Sequence, residues 1–130
     1  MERWLGKYSE WIYAIMRIVI GFLFACHGAQ KLFGVLGGQG RATGGLMTVG
    51  GIIEFGGGVL VALGLWAGYA AFLASGMMAV AYFMAHAPGG FWPILNHGEL
   101  AVVYCFVFLF IASKGSGRLS LEKLMRKSRF

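Results

Sequence analysis

The sequence contains no aspartate, and only 12% of its 130 residues are charged. A soluble domain carries roughly a quarter of its residues as Asp, Glu, Lys or Arg. Half that fraction, with 58% apolar residues and a mean hydropathy of +0.73, argues for a chain solvated by lipid. Cysteine is scarce too. Cys26 and Cys105 form no Cys-x-x-Cys pair, so they define neither a zinc site nor a redox compartment. The glycine-rich stretch Gly37-Gly38-Gln39-Gly40-Arg41 lacks the Gly-Lys-Ser/Thr ending of a phosphate-binding loop, which argues against nucleotide binding. No polar linker, low-complexity tract or solenoid repeat divides the chain, so one domain over residues 1–130 is expected.

What remains is a set of apolar runs. Four spans are expected at about 11–33, 46–66, 67–86 and 98–113, each near the length needed to cross a bilayer. A Gly-rich loop, 34–45, follows the first. A tight glycine-bearing turn joins the second and third, and a loop with both prolines, Pro88 and Pro93, precedes the fourth. Arg3 and Lys7 precede an apolar stretch as in a signal peptide, but Arg17 interrupts it and no Ala-x-Ala site follows, so the segment reads as a retained span. Residues 114–130 carry six basic side chains among Leu119, Leu121 and Leu124, the pattern of a short amphipathic helix on an anionic surface.

The net charge of +6 could signal nucleic acid, but the basic residues lie mainly at the two ends, outside the apolar runs. That is the membrane pattern, and no nucleic-acid partner is expected. By the positive-inside rule both termini are cytoplasmic. The predicted fold class is therefore all-α, a transmembrane four-helix bundle with N and C termini cytoplasmic. Its location is the inner (cytoplasmic) membrane, multi-pass, with the bilayer as its first partner.

The chemistry is in the few polar residues of the spans. Arg17 lies among Ile15, Met16, Ile18 and Val19, where an arginine costs roughly 2.5–3.5 kcal/mol unless it faces protein or a partner. His27 and Lys31 stack on one face four residues apart. Glu54 interrupts the second span, His86 ends the third, and His97 and Glu99 open the fourth. With termini inside, all but Arg17 fall in the outer half. Arg17 is expected to reach up toward Glu54, and a polar cavity opening to the outer face follows. Each residue also has a plain structural reading: an Arg17–Glu54 ion pair, a carbonyl-bonded His27, a snorkelling Lys31, an interfacial His86, or a Glu99 that favours the helix dipole. No His-x-x-x-His or Glu-x-x-His spacing places two ligands on one helix turn, so no metal site is predicted. Gly56-Gly57-Gly58 and Gly64-x-x-x-Gly68 are expected to allow close helix packing, and the two cysteines to be packed thiols.

Arg17, His27-Gly28-Ala29-Gln30-Lys31-Leu32, Glu54-Phe55-Gly56-Gly57-Gly58, Leu63-Gly64-Leu65 and Asn96-His97-Gly98-Glu99 together resemble the DoxX family of small bacterial and archaeal membrane proteins. The resemblance covers about 15–113 and implies a four-helix transmembrane bundle. It also implies a redox context, since relatives include a small subunit of a thiosulfate:quinone oxidoreductase and members linked to oxidative stress and to quinone detoxification.

The leading functional expectation is a cavity that binds a quinone or a small sulfur or aromatic compound. Phe22, Phe24, Phe55, Tyr82 and Phe83 would line it. Arg17, His27, Lys31 and His97 would bind the ligand, with Arg17 holding Glu54 in place, and Glu54 or Glu99 would deliver protons as catalytic groups. No covalently bound cofactor is expected, so electrons would come from a soluble oxidoreductase partner or reductant, and the chain is uncertain as an enzyme in its own right. The alternatives are a non-catalytic membrane anchor or assembly subunit for such an oxidoreductase, and a small-solute or ion pathway lined by Arg17 and Glu54. A homo-oligomer is compatible with each.

Overall fold

The computed structural model describes residues 1–37 and 44–129, with side chains through Arg126. Residues 38–43 of the Gly-rich loop, including Arg41, and the side chains of Lys127 and Arg129 in the basic tail lie outside the described residues.

The described residues are helical, with no strand among them. The main elements are α1 (Ser9–Phe33), α2 (Gly45–Leu63), α3 (Ala67–Ala81), α4 (Glu99–Lys114) and α5 (Leu121–Arg129). Short helical turns lead into α1. A π-helical turn, Tyr82–His86, and a 3-10 turn, Ala87–Gly89, extend α3. Among the described residues three stretches are long and apolar enough to cross a membrane: Glu2–Phe33, Gly45–Leu63 and Ala67–Gly89. At 1.5 Å per residue α4 is only about 24 Å long, short of a hydrocarbon core of about 30 Å. The large apolar side chains that remain exposed, such as Phe72, Phe83 and Phe106, are those expected to meet lipid.

α1 and α2 pack backbone against backbone. A Cβ on Gly58 would lie 2.6 Å from the carbonyl oxygen of Gly21, and one on Gly21 2.7 Å from that of Gly58. One heptad further along, a Cβ on Gly28 would strike the backbone of Phe55 and lie 2.8 Å from the Gly51 carbonyl oxygen. Gly21 and Gly28 on one helix and Gly51 and Gly58 on the other therefore form one contact line, which lets the helices approach closely. Of the glycines expected to pack, Gly58 is on that line. Among the described residues Gly56 has nothing within 4 Å of a Cβ, and Gly57 meets only the Ala70 carbonyl at 4.0 Å.

α3 and α4 form the second pair. Buried Ala67, Ala70, Ala71 and Ala74 offer a small-residue face near the rings of Tyr104 and Phe108. Buried Ser75 donates to the Cys105 carbonyl at 2.7 Å, satisfying a hydroxyl inside the bundle. Both cysteines are free thiols. The two pairs are joined by rings: Phe24 lies 4.6 Å from Phe108 and 5.3 Å from Tyr104, centroid to centroid.

The chain's two ends share one end of the bundle, where Arg118 donates to Glu10 at 2.6 Å. The other end, where α1 finishes and α2 begins, is the far end.

Candidate functional site

Arg17 is fully buried, and it does not meet Glu54. Its Nη1 donates to the carbonyls of Val61 (2.6 Å) and Ala62 (3.0 Å), and its Nη2 to those of Arg118 (3.1 Å) and Leu119 (2.7 Å). Those at Val61 and Ala62 are end-of-helix carbonyls; Val61 also accepts from Gly64 N at 3.2 Å. The guanidinium thus caps α2 and ties the 115–120 connection to it. Gly64 makes this approach possible: it takes φ +70° and sits against Arg17 Nη1 and Ser120, where a side chain would be both strained and crowded. Its carbonyl accepts from Glu122 N at 3.2 Å, fixing the start of α5. Beside it, the Tyr13 hydroxyl donates to the Gly115 carbonyl at 2.6 Å. The expected Arg17–Glu54 pair is therefore replaced by a backbone clamp at the terminal end.

The reason is geometric. Gly28 faces Gly51 and Phe55, so Glu54 is nearly level with Gly28, roughly 16 Å along the axis from Arg17 at 1.5 Å per residue. Helical side chains also lean toward their own N-terminus. In α1 that lean carries Arg17 away from Glu54 and carries Lys31 back toward it. Glu54, on antiparallel α2, leans toward Lys31. Lys31 Nζ meets Glu54 Oε1 at 2.7 Å, with side chains 33% and 5% exposed. Glu54 Oε2 is buried and has no hydrogen-bond partner among the described residues.

This pair stands on the wall of a cavity of about 760 Å³ between the two helix pairs at the far end. His27, Lys31, Glu54, His86, His97 and Tyr104 supply its polar surface, and Leu, Met, Val, Ile, Ala and Phe side chains the rest. Of the candidate residues, His27, Lys31, Glu54 and His97 line it; Arg17 and Glu99 do not. Glu99 is exposed in the first turn of α4, where its charge suits the helix N-terminus. Of the five aromatics expected as lining, only Phe24 contributes. Phe22 and Phe83 are exposed, Phe55 faces outward against Phe33, and Tyr82 is buried beside the cavity, donating to the Phe91 carbonyl.

Tyr104 was not singled out by the sequence, although a hydroxyl in the apolar run of α4 is a signal of the same kind as Glu54. Its ring packs edge-on against His27 at 6.1 Å. Asn96 is the other unexpected residue. Its Nδ2 donates to the Gly90 carbonyl (2.6 Å) and the Tyr82 hydroxyl (3.2 Å), and its Oδ1 accepts from Gly98 N (2.8 Å). His86 Nδ1 lies 3.2 Å from the Asn96 carbonyl. These bonds hold His97 at φ +63° on the cavity rim. Among the described residues no three His, Cys or Glu side chains come together as metal ligands.

Chemically, the site offers one ion pair of zero net charge, one vacant carboxylate acceptor, imidazoles and a phenol, all set in apolar walls. It suits a mainly apolar molecule with a small polar head.

Comparison with known proteins places the chain. The family model described as DoxX matches residues 12–87, which run from α1 to the turn after α3. An uncharacterized protein of Haemophilus influenzae is 38% identical over 125 residues, covering 91% of this chain and 93% of its own. No solved structure matches. On the strength of that family match, which spans more than half its length, this chain belongs to the DoxX family.

Proposed function

We propose that this DoxX protein is a four-span inner-membrane protein, both termini cytoplasmic, whose far-end cavity binds a quinone-like or other small aromatic molecule. The observation that carries the reading is the buried, unpartnered Oε2 of Glu54 on the wall of an apolar cavity. A buried carboxylate oxygen without a donor is costly, and a ligand or water supplying one removes that cost. Lys31 holds Glu54 and presents its remaining protons to the ligand; His27, His97 and Tyr104 bound the head-group space. Glu54 is the one carboxylate lining the cavity among the described residues, so it is the proton-exchanging group of any redox step there, while Arg17 serves architecture. The redox step itself, with a soluble oxidoreductase or reductant as electron source, is the context that family resemblance suggests.

The test is native mass spectrometry of the protein purified in mild detergent, wild type beside Glu54→Gln, with extraction to identify bound species. An aromatic ligand in the wild type, depleted in the variant, supports the reading. A wild type that binds none of a panel of quinones and phenols overturns it.

A second reading, an anchor for a soluble oxidoreductase, draws on the way α5 starts from a fixed point at Arg17 and Gly64. It predicts the opposite sensitivity: reversing the charges of α5 abolishes function and Glu54→Gln is tolerated. The solute-pathway reading loses its main support, since both Nη atoms of Arg17 are held by carbonyls at the terminal end, away from Glu54.

A further inference from the structure

Among the described residues the cavity is open on its side. Near the turn that joins them, α2 and α3 are close: a Cβ on Gly57 would lie 4.0 Å from the Ala70 carbonyl oxygen. Toward the far end they separate. Gly50 on α2 and Gly76 on α3 both line the cavity, yet among the described residues a Cβ on either meets nothing within 4 Å. The side chains framing this gap line the cavity and are exposed at once: Val49 54%, Phe72 68% and Val80 54%. All three are apolar and lie within helices long enough to span, so the gap faces hydrocarbon rather than water.

The opposite wall dictates the head group. Lys31 is already committed to Glu54 Oε1, and the vacant atom is Oε2. An ionised carboxylate oxygen only accepts hydrogen bonds, so the missing partner is a donor. Because the charges of the pair cancel, the wall favours a neutral head. An anion would gain Lys31 but face Oε2 at close range, where like charges repel strongly out of water.

We infer that the cavity takes a neutral, hydroxyl-bearing amphiphile directly from the bilayer, its hydroxyl donating to Glu54 Oε2, which a small rotation of the enclosed carboxylate turns toward it, and its hydrocarbon tail lying in the gap between α2 and α3. This rests on the ligand-binding reading above and narrows it. A phenol or hydroquinone-type ring satisfies Oε2; a ring bearing carbonyls alone leaves it unpaired, and a small water-borne anion such as thiosulfate is disfavoured. Entry from the side needs no passage past His86 and His97 at the rim.

The test uses the full chain in phosphatidylcholine nanodiscs and three probes: 4-decylphenol, 4-ethylphenol and decylbenzene. Two kinds of variant separate head from tail. Glu54→Gln alters the acceptor. Gly50→Leu and Gly76→Leu fill the gap without meeting other atoms at Cβ, and thermal melting confirms that they fold.

The wild type should bind 4-decylphenol one to a chain and decylbenzene at least about tenfold more weakly, the scale of one hydrogen bond to a charged group. Glu54→Gln should weaken both phenols about tenfold by the same reasoning. The leucine variants should weaken 4-decylphenol about tenfold while leaving 4-ethylphenol within about twofold, since only the longer ligand loses buried methylenes. Equal losses for both phenols in the leucine variants would overturn the side opening as the tail's place and leave the head site standing. Decylbenzene binding as tightly as 4-decylphenol would overturn the head-group assignment. Absence of saturable binding by any probe would overturn the cavity as a ligand site, and this inference with it.

Discussion

The same two helices, α1 and α2, bury a charge at each end, and they treat the two charges differently. At the terminal end Arg17 is wholly enclosed and gives four hydrogen bonds to carbonyls that have few other donors, with its Nε lacking a partner among the described residues. At the far end Glu54 receives one bond from a partly exposed Lys31, and its second oxygen has none. The first site is closed by backbone and crowded at Gly64. The second is left incomplete beside an apolar cavity. Burial of a charge therefore does not by itself mark a functional site; incomplete satisfaction next to open space is the better sign.

That contrast can be broken by mutation. The largest effect is expected for Arg17→Leu, which strands the carbonyls of Ala62, Arg118 and Leu119 and leaves that of Val61 only its bond from Gly64 N; a loss of about 3–5 kcal/mol follows from removing one partner of a buried polar cluster. Thermal melting in detergent reads it, and a variant as stable as wild type would show that the clamp is dispensable. Gly28→Ala comes next, because its Cβ meets the backbone of α2 and the helices must shift, at about 1–3 kcal/mol. Gly50→Ala is the control for the same chemistry in open space, with a change within about 0.5 kcal/mol.

Asn96→Ala removes three hydrogen bonds that shape the rim. Part of that segment is exposed, so about 1–2 kcal/mol is expected, together with faster amide exchange across the 90–98 segment. Apart from the Gly50→Ala control, the smallest stability change belongs to Glu54→Gln. Lys31 is one-third exposed and can rehydrate, which keeps the loss within about 1 kcal/mol. The same substitution should deplete the bound ligand. A far-end variant that melts like Arg17→Leu but retains ligand would invert the comparison and make Glu54 the structural residue.

Hydropathy was enough to locate the helices, because lipid-facing segments cannot hide their composition. The runs that became α1, α2 and α3 are the three stretches long and apolar enough to cross. It was also enough to single out the polar residues within them, since each is expensive there. Sequence separation alone misjudged which of them meet. Depth estimates from the two helix ends placed Arg17 near Glu54, whereas the register set by Gly21, Gly28, Gly51 and Gly58 places them about 16 Å apart. The seven-residue spacing of those glycines was present in the sequence. The more conspicuous Gly56-Gly57-Gly58 run concealed it, and only Gly58 of that run makes the contact. The lining aromatics failed for a related reason: with apolar residues on every side of a lipid-solvated helix, nothing in the pattern separates Phe24, which faces the cavity, from Phe22, which faces out.

The sequence by itself determined that this is a helical, membrane-type chain of the DoxX pattern with a handful of buried polar residues, because transfer free energies depend on composition and length. Only the tertiary structure decided that Arg17 clamps backbone while Lys31 holds Glu54, and that a cavity opens between α2 and α3. Those outcomes depend on helix register, on the lean of side chains toward their helix N-terminus and on where two helices diverge. Such relations exist between segments and are encoded in no single one of them.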